Sequence, residues 1–434
     1  MEAPATEARL SQGLPSLAMV ACLVGALSGF VAAMFRLLLQ HADGWRDALI
    51  AWAHASPVAG LLLVVGGVAG ATSIAAWLVR RFAPHASGSG IPHVEAVVNR
   101  ELPPASFSLL PVKFVGGLLA MGGGLALGRE GPSVQMGASI GSLLGGAFRL
   151  GEADCVALIA GGAGAGLATA FNAPIAGAVF VLEELVRKFD TRIAIAALGA
   201  SAAAIAVARL FLGESPDFQV PPLPFPGIVS GLLFATLGVF AGLAGVAYNR
   251  ALLGALAVSD RLGHWPVELR AAVIGAAVAG LAWLAPWIVG GGDALTQSTL
   301  DGSEWVPALG FVFAIRFGLG AVSYAAGTPG GLFAPMLVLG SQLGLLFFAA
   351  VHRLGFPDVG VPPTALAVAG MAAFFTGVVR APVTGIALAV ELTAGFTQFL
   401  AMLWACFVAM LIPTLLGGKP IYDSLKERTL RVKT

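Results

Sequence analysis

Apolar residues run along nearly the whole chain, in segments near 16–40, 57–79, 105–127, 132–148, 155–182, 192–213, 226–257, 269–289, 306–325, 331–351, 363–379 and 381–416. Several exceed the roughly 20 residues a helix needs to cross a bilayer. Others are shorter and interrupted by Gly or Pro, as in helices that stop partway through. The pattern predicts an all-α polytopic membrane protein with discontinuous helices.

Composition agrees with that pattern. The 434 residues are 58% hydrophobic and 11% charged, with 58 glycines and a mean hydropathy of +0.89, against about 25% charged in soluble domains. The net charge of +1 gives no reason to expect nucleic acid. The first 15 residues carry Glu2, Glu7 and a lone Arg9 without a basic stretch or small-residue cleavage site, so the first apolar segment is expected to be retained. Cys22, Cys155 and Cys406 lie singly in apolar runs and read as small core residues, and no metal or cofactor is expected. The basic end "LKERTLRVKT" predicts a short tail, 418–434, on the cytoplasmic side and too short for a further folded domain.

Internal similarity changes the picture most. "FNAPIAGAVFVLEEL" (171–185) matches "VRAPVTGIALAVELT" (379–393), placing Pro174 on Pro382, Gly177 on Gly385 and Glu183 on Glu391. "REGPSVQMGASIG" (129–141) matches "LFAPMLVLGSQLG" (332–344), placing Pro132 on Pro335, Gly137 on Gly340 and Gly141 on Gly344. The spacing between the prolines is 42 residues in one half (132 to 174) and 47 in the other (335 to 382). The order predicts two repeats, about 16–213 and 226–417, with the Pro-rich "VPPLPFPG" at the seam. Membrane chains built from repeats with helices broken at matching places are typically transporters or channels with a site at the repeat interface. Loop charges are too few to tell inverted from parallel repeats.

Three stretches share one grammar: "GSGIP" (88–92), "GREGP" (128–132) and "GGLFAP" (330–335). Proline suits the first position of a helix, so each is expected to open one. A helix start exposes unpaired N–H groups and about half a positive charge. Three such starts converging at membrane depth would hold an anion by backbone amides rather than by a lysine, weakly enough to release it.

In this order, with "LPVKFVGG" (110–117), "FNAPIAG", "RAPVTGIALAVELT" and Tyr422 in "KPIYDSL", these stretches resemble the CLC family of chloride channels and chloride/proton exchangers over essentially the whole transmembrane chain. The resemblance is to the prokaryotic type without CBS domains. It implies a single transmembrane unit of two inverted repeats of tilted and discontinuous helices. It further implies a multi-pass protein of the inner (plasma) membrane, a homodimer with an anion pathway in each subunit, chloride and protons as the transported ions, and no enzyme activity. It places the anion on the hydroxyls of Ser89 and Tyr422 and the amides of Leu332 and Phe333, with Gly131 and Ile91 beside them and Gly88, Gly90, Arg129 and Lys113 in support.

Glu130 stands two residues ahead of Pro132, at the positive end of a helix, where its carboxylate can take the place of an anion. Protonation removes that claim, linking proton and anion binding. The resemblance makes it the external gate and proton carrier. The equivalent position in the second half is Phe333, so the acid is an addition to one half only. Pairing with Arg129 as a structural ion pair is the plainer alternative. Exchangers of the family tend to carry a glutamate where Glu184 stands, and Glu184 is accordingly expected to transfer protons on the inner side. A passive gated chloride channel is the alternative, in which "EELVRK" is only a solvated helix end pairing Glu183 with Arg187 and Glu184 with Lys188.

Other features weigh less. His93 follows "GSGIP" where the family often has an acid, which puts any role of that acid in doubt here. Ser89 favours chloride, and fluoride-exporting relatives depart from this first element. Lys113, Arg316, Arg380 and Glu391 lie in or near apolar runs and are expected to pair internally or reach a vestibule. "GASIG" (137–141) fits the serine-hydrolase pattern G-x-S-x-G literally, but that elbow needs a strand, a turn and a helix. Ser139 instead lies in an apolar helical run, and Gly137, Gly141, Gly162 and Gly166 read as helix–helix contacts.

Overall fold

The computed structural model describes residues 3–227, 230–302, 306–355 and 360–431. Glu2, the side chains of Glu7 and Arg9, residues 228–229 of the predicted second repeat and 432–434 of the predicted tail lie outside the described residues. The first half of the chain forms α1 (Ala3–Ala53), α2 (Pro57–Phe82), α3 (Ile91–Val98), α4 (Leu109–Gly122), α5 (Glu130–Ala147), α6 (Glu152–Phe171), α7 (Pro174–Phe180) and α8 (Thr191–Leu212). The second half forms α9 (Gly231–Arg261), α10 (Val267–Leu284), α11 (Asp293–Leu300), α12 (Val306–Tyr324), α13 (Phe333–Arg353), α14 (Pro363–Val379), α15 (Pro382–Thr393), α16 (Phe399–Leu415) and α17 (Ile421–Arg431). Among the described residues, eight helices are long and apolar enough to cross a membrane.

Two predicted runs are each more than one helix. The run 155–182 breaks at Asn172, which ends α6 in the left-handed conformation (φ 50°) before Pro174 opens α7. The run 381–416 breaks at Ala394, which ends α15 in the same way (φ 50°). Hydropathy does not register either break, because a joint of one or two residues is averaged away within a long apolar run. The predicted tail contains α17, which buries Ile421, Tyr422 and Leu425 and packs on α3. Of the three cysteines, only Cys406 is buried; Cys155 is half-buried and Cys22 exposed, so the core reading holds for one of them.

Glycines let the long helices lie backbone to backbone. In the first half α5 lies along α6, with Gly137 against the carbonyl of Gly162 and Gly141 against that of Leu158. In the second half α13 lies along α14, with Gly340 against Gly370 and Gly344 against Leu366. The glycines aligned in sequence thus occupy like places. Such close approach replaces the hydrophobic drive that helices lack in lipid.

The short helices α7 and α15 cross each other and exchange caps. Glu183, in the widened turn Val181–Leu185 that follows α7, accepts from the amides of Val383 (3.0 Å) and Thr384 (2.7 Å) at the start of α15. Glu391, on α15, accepts from the amides of Ile175 (3.1 Å) and Ala176 (2.7 Å) at the start of α7. Each carboxylate satisfies two first-turn donors that have no partner within their own helix. Glu391→Gln is expected to cost roughly 1.5–3 kcal/mol, the value of a hydrogen bond to a charged acceptor, read as a lower unfolding temperature in detergent. An unchanged temperature would show that the cap carries no stability.

Candidate functional site

The three Gly/Pro elements are stitched together by their backbones. The Gly88 amide donates to Thr328 O (3.0 Å) and the Gly330 amide returns a bond to Gly88 O (3.0 Å). Gly128 and Gly331 exchange a second pair, 2.8 and 2.6 Å. The third element therefore joins the first on one side and the second on the other, and the starts of α3, α5 and α13 converge. Glycine is required where they touch. A Cβ on Gly131 would stand 2.7 Å from the Ser89 backbone oxygen, and Gly90 has φ 80° with the Gln135 side chain against it. The prolines sit one or two positions deeper than expected: α3 opens at Ile91, α5 at Glu130 and α13 at Phe333. Amides throughout the first turn lack internal partners, so proline is tolerated anywhere in it.

Ser89, Ile91, Gly131, Leu332, Phe333 and Tyr422 are all buried around this convergence. The Ser89 hydroxyl oxygen accepts from the Ile91 amide (3.2 Å). The Ser89 amide donates to the hydroxyl of Tyr324 (3.3 Å). Tyr422 stacks on Phe333 with ring centres 6.1 Å apart, and its buried hydroxyl makes no hydrogen bond among the described residues. Lys113 does not face this space. Its Nζ donates to Ala86 O (3.0 Å) and Gly88 O (2.7 Å), anchoring the first element.

Glu130 is the first residue of α5, not two ahead of it, and is fully buried. Its Oε2 accepts from the Ala334 amide in the first turn of α13 (3.4 Å), while Oε1 has no partner among the described residues. The carboxylate thus lies on a donor of the kind an anion would use. Arg129 forms its ion pairs elsewhere, with Asp293 (2.5 Å) and Asp217 (3.2 Å), and its Nε donates to Ala170 O (3.0 Å). Asp217 is shared with Arg36 (2.7 Å). The pairing of Arg129 with Glu130 is therefore replaced by a clamp that fixes Arg129 from outside. A cavity of about 320 Å³, lined by Asp43, Arg46, Arg129 and Asp293, reaches Glu130.

The turn Val181–Leu185 sends its two acids in different directions. Glu183 caps α15, as above. Glu184 is buried and accepts from Arg187 (3.1 Å), whose same nitrogen also bonds Asp423 on α17 (2.6 Å). Arg187 thus pairs with Glu184 at i,i+3, and the predicted Glu183–Arg187 pair gives way to the cap. Glu184 and Arg187 line a cleft of about 590 Å³ with Arg380 and Pro420. A separate cavity of about 650 Å³ reaches Gly88, Gly90, His93 and Tyr324, with Leu425 and Arg428 of α17 on its wall. Glu184 and the first Gly/Pro element therefore open into different spaces.

The remaining candidates resolve structurally. His93 stacks on His85 (ring centres 4.5 Å), and Glu95 pairs with Lys426 of α17 (2.9 Å). Arg316 donates to the carbonyls of Ile288, Gly290 and Gly291, and Arg380 to those of Gly377 and Gly418; like Lys113 and Glu391 they meet backbone rather than opposite charge. Ser139 lies mid-helix in α5 and bonds Gln135 O, four residues back (2.9 Å), so no elbow is present there. Sequence reasoning missed Tyr324, Asp217 and Asp293. Tyr324 carried a usable signal, as one of only three tyrosines and four residues before Thr328 of the third element; the two aspartates carried none.

A family model described as voltage gated chloride channel matches residues 71–414. The H(+)/Cl(-) exchange transporter ClcA of Vibrio parahaemolyticus serotype O3:K6 is 36% identical, the match covering 96% of this chain and 90% of the relative. ClcA of Salmonella arizonae is 35% identical, covering 96% and 89%. Among solved structures, a slow cyanobacterial Cl−/H+ antiporter superposes with a TM-score of 0.91 at 34% identity, covering 96% of this chain and 98% of that one. A CLC-type fluoride/proton antiporter gives 0.77 at 25% identity, covering 92% and 95%.

Proposed function

The chain belongs to the voltage gated chloride channel family, and on that premise we propose that it is a chloride/proton antiporter. It works as a homodimer in the inner (plasma) membrane, with a separate pathway in each subunit. Chloride is held by the hydroxyls of Ser89 and Tyr422 and the first-turn amides of Leu332 and Phe333, beside Gly131 and Ile91. Glu130 is the gate and proton carrier, and Glu184 the inner proton donor and acceptor.

One observation carries the reading. A buried carboxylate at the start of α5 accepts the Ala334 amide, next to the Leu332 and Phe333 amides at the start of α13, so Glu130 as an anion and chloride compete for one helix start. A proton on Glu130 ends the competition, and the two ions exchange places. Glu184, buried beside its own cleft, offers protons a route distinct from the cavity that leads to Gly88. The hydroxyl and amide donor set, with no lysine or arginine in contact, suits an anion that must leave as readily as it enters.

The test is purified protein in liposomes under a chloride gradient with no pH gradient, following proton movement. Protons are expected to run uphill, driven by chloride. In Glu184→Gln that movement is expected to fall by at least tenfold while chloride still crosses. Chloride flux without proton movement in the unaltered protein would make this a passive gated channel. A fluoride gradient run in parallel should drive fewer protons than chloride.

A further inference from the structure

The helix that carries Tyr422 also carries the next charge along, and that charge is tied to the inner acid. One nitrogen of Arg187 lies 3.1 Å from Glu184 Oε1 and 2.6 Å from Asp423 Oδ1. Glu184 is almost wholly buried, with its side chain 3% exposed, whereas Asp423 is 26% and Arg187 41% exposed. Asp423 follows Tyr422 directly in the first turn of α17. From this juxtaposition we propose that Asp423 is a positioning residue for exchange: through Arg187 it sets how readily Glu184 takes a proton and ties that loading to the seat of Tyr422. The proposal rests on the antiporter reading above.

Glu184 and Asp423 share one cation. While Glu184 is ionised, the guanidinium divides itself between two carboxylates. When Glu184 takes a proton, its claim on Arg187 weakens and the cation falls to Asp423 alone. The residue that receives the change in force is covalently next to the tyrosine whose hydroxyl faces the anion. Phe333 transmits position further, since Tyr422 stacks on it and Phe333 opens the helix whose second amide holds Glu130. Proton arrival at Glu184 and the geometry of the anion site are thus joined through Arg187, Asp423, Tyr422 and Phe333, in side-chain contact except at the Tyr422–Asp423 peptide link.

Charged groups surround Glu184 from several elements, and Lys188 and Arg380 line the same cleft. Arg187 comes from the chain just after its own turn, Glu95 from α3, and Asp423 from α17, with Glu183 turned away to cap α15. Glu95 is held by Lys426, 2.9 Å away, and Lys426 also reaches Glu101 at 3.5 Å. The second α17 charge therefore holds Glu95 in an ion pair, and Arg187 is the cation in contact with Glu184.

The sign follows. Removing the charge of Asp423 gives Arg187 wholly to Glu184 and favours its ionised form, so more acid is needed to load it. Exchange by Asp423→Asn, measured against the pH on the α17 side in liposomes, is expected to reach half its maximum at a pH lower by roughly half a unit, the size of a partly exposed ion pair. Arg187→Gln is expected to shift the same midpoint upward, and Asp423→Glu to restore the original profile. A merely structural role would reduce rate or stability without moving the two midpoints in opposite directions. A profile unmoved in Asp423→Asn, in a preparation whose unaltered protein exchanges normally, would overturn the proposal. Absence of proton movement in the unaltered protein would sink the antiporter reading itself, a result distinct from the first.

Discussion

Glu130→Gln should abolish proton transport, by a hundredfold or more, while chloride continues to cross. The amide of glutamine has the shape of the acid and keeps a carbonyl oxygen that can accept from Ala334, so the start of α13 loses nothing sterically. What it lacks is a titrating proton and a negative charge. Without the charge it competes poorly with chloride for the converging amides, so the pathway stays open to the anion. Without the proton it cannot return a charge to the site, and the two fluxes separate. A chloride electrode and a pH-sensitive dye on the same liposomes read both quantities. Coupled proton movement surviving in this variant would remove Glu130 from the mechanism. Loss of both fluxes would mean that the acid holds the site together rather than gating it.

The second large effect is on the scaffold, and its sign depends on position. Gly162→Ala should destabilise the protein by roughly 1–3 kcal/mol, the range for overpacking, because the added methyl lands on the carbonyl oxygen of Gly137 and no side chain can move to relieve it. Gly370→Ala should behave likewise against Gly340 in the other half. Gly146→Ala, in the last turn of α5 with nothing within 4 Å, should instead be neutral or stabilise by up to about 1 kcal/mol through helix propensity. Thermal unfolding in detergent distinguishes these cases. Equal behaviour at Gly162 and Gly146 would show that the α5–α6 approach is not set by contact between backbones.

The α5 and α13 glycines at these contacts were legible in the sequence because repetition marked them: Gly137 aligns with Gly340 and Gly141 with Gly344. The Gly/Pro elements were legible for a physical reason, since close backbone approach and helix starts demand these residue types. The limits of the helices were less so. A window of apolar residues looks the same whether one helix or two pass through it, and the turns at Asn172 and Ala394 are single residues. The helix α17 was hidden by its charges, although Ile421, Tyr422 and Leu425 mark one buried stripe. Aligned Glu183 and Glu391 were visible as a pair, but that each caps the other half's helix depends on a crossing that no local pattern encodes. Asp217 and Asp293 lie 88 and 164 residues from the Arg129 they hold, beyond the reach of motif reading.

The crossed caps bear on how the molecule can move at all. A swing of one half against the other about the α7–α15 contact would strand two carboxylates and four amide donors, at roughly 1–3 kcal/mol for each group left buried without a partner. The halves are in effect bolted together there. Access must then alternate at the scale of a rotating side chain rather than a rocking bundle, and turnover should be insensitive to cross-links that tie α7 to α15.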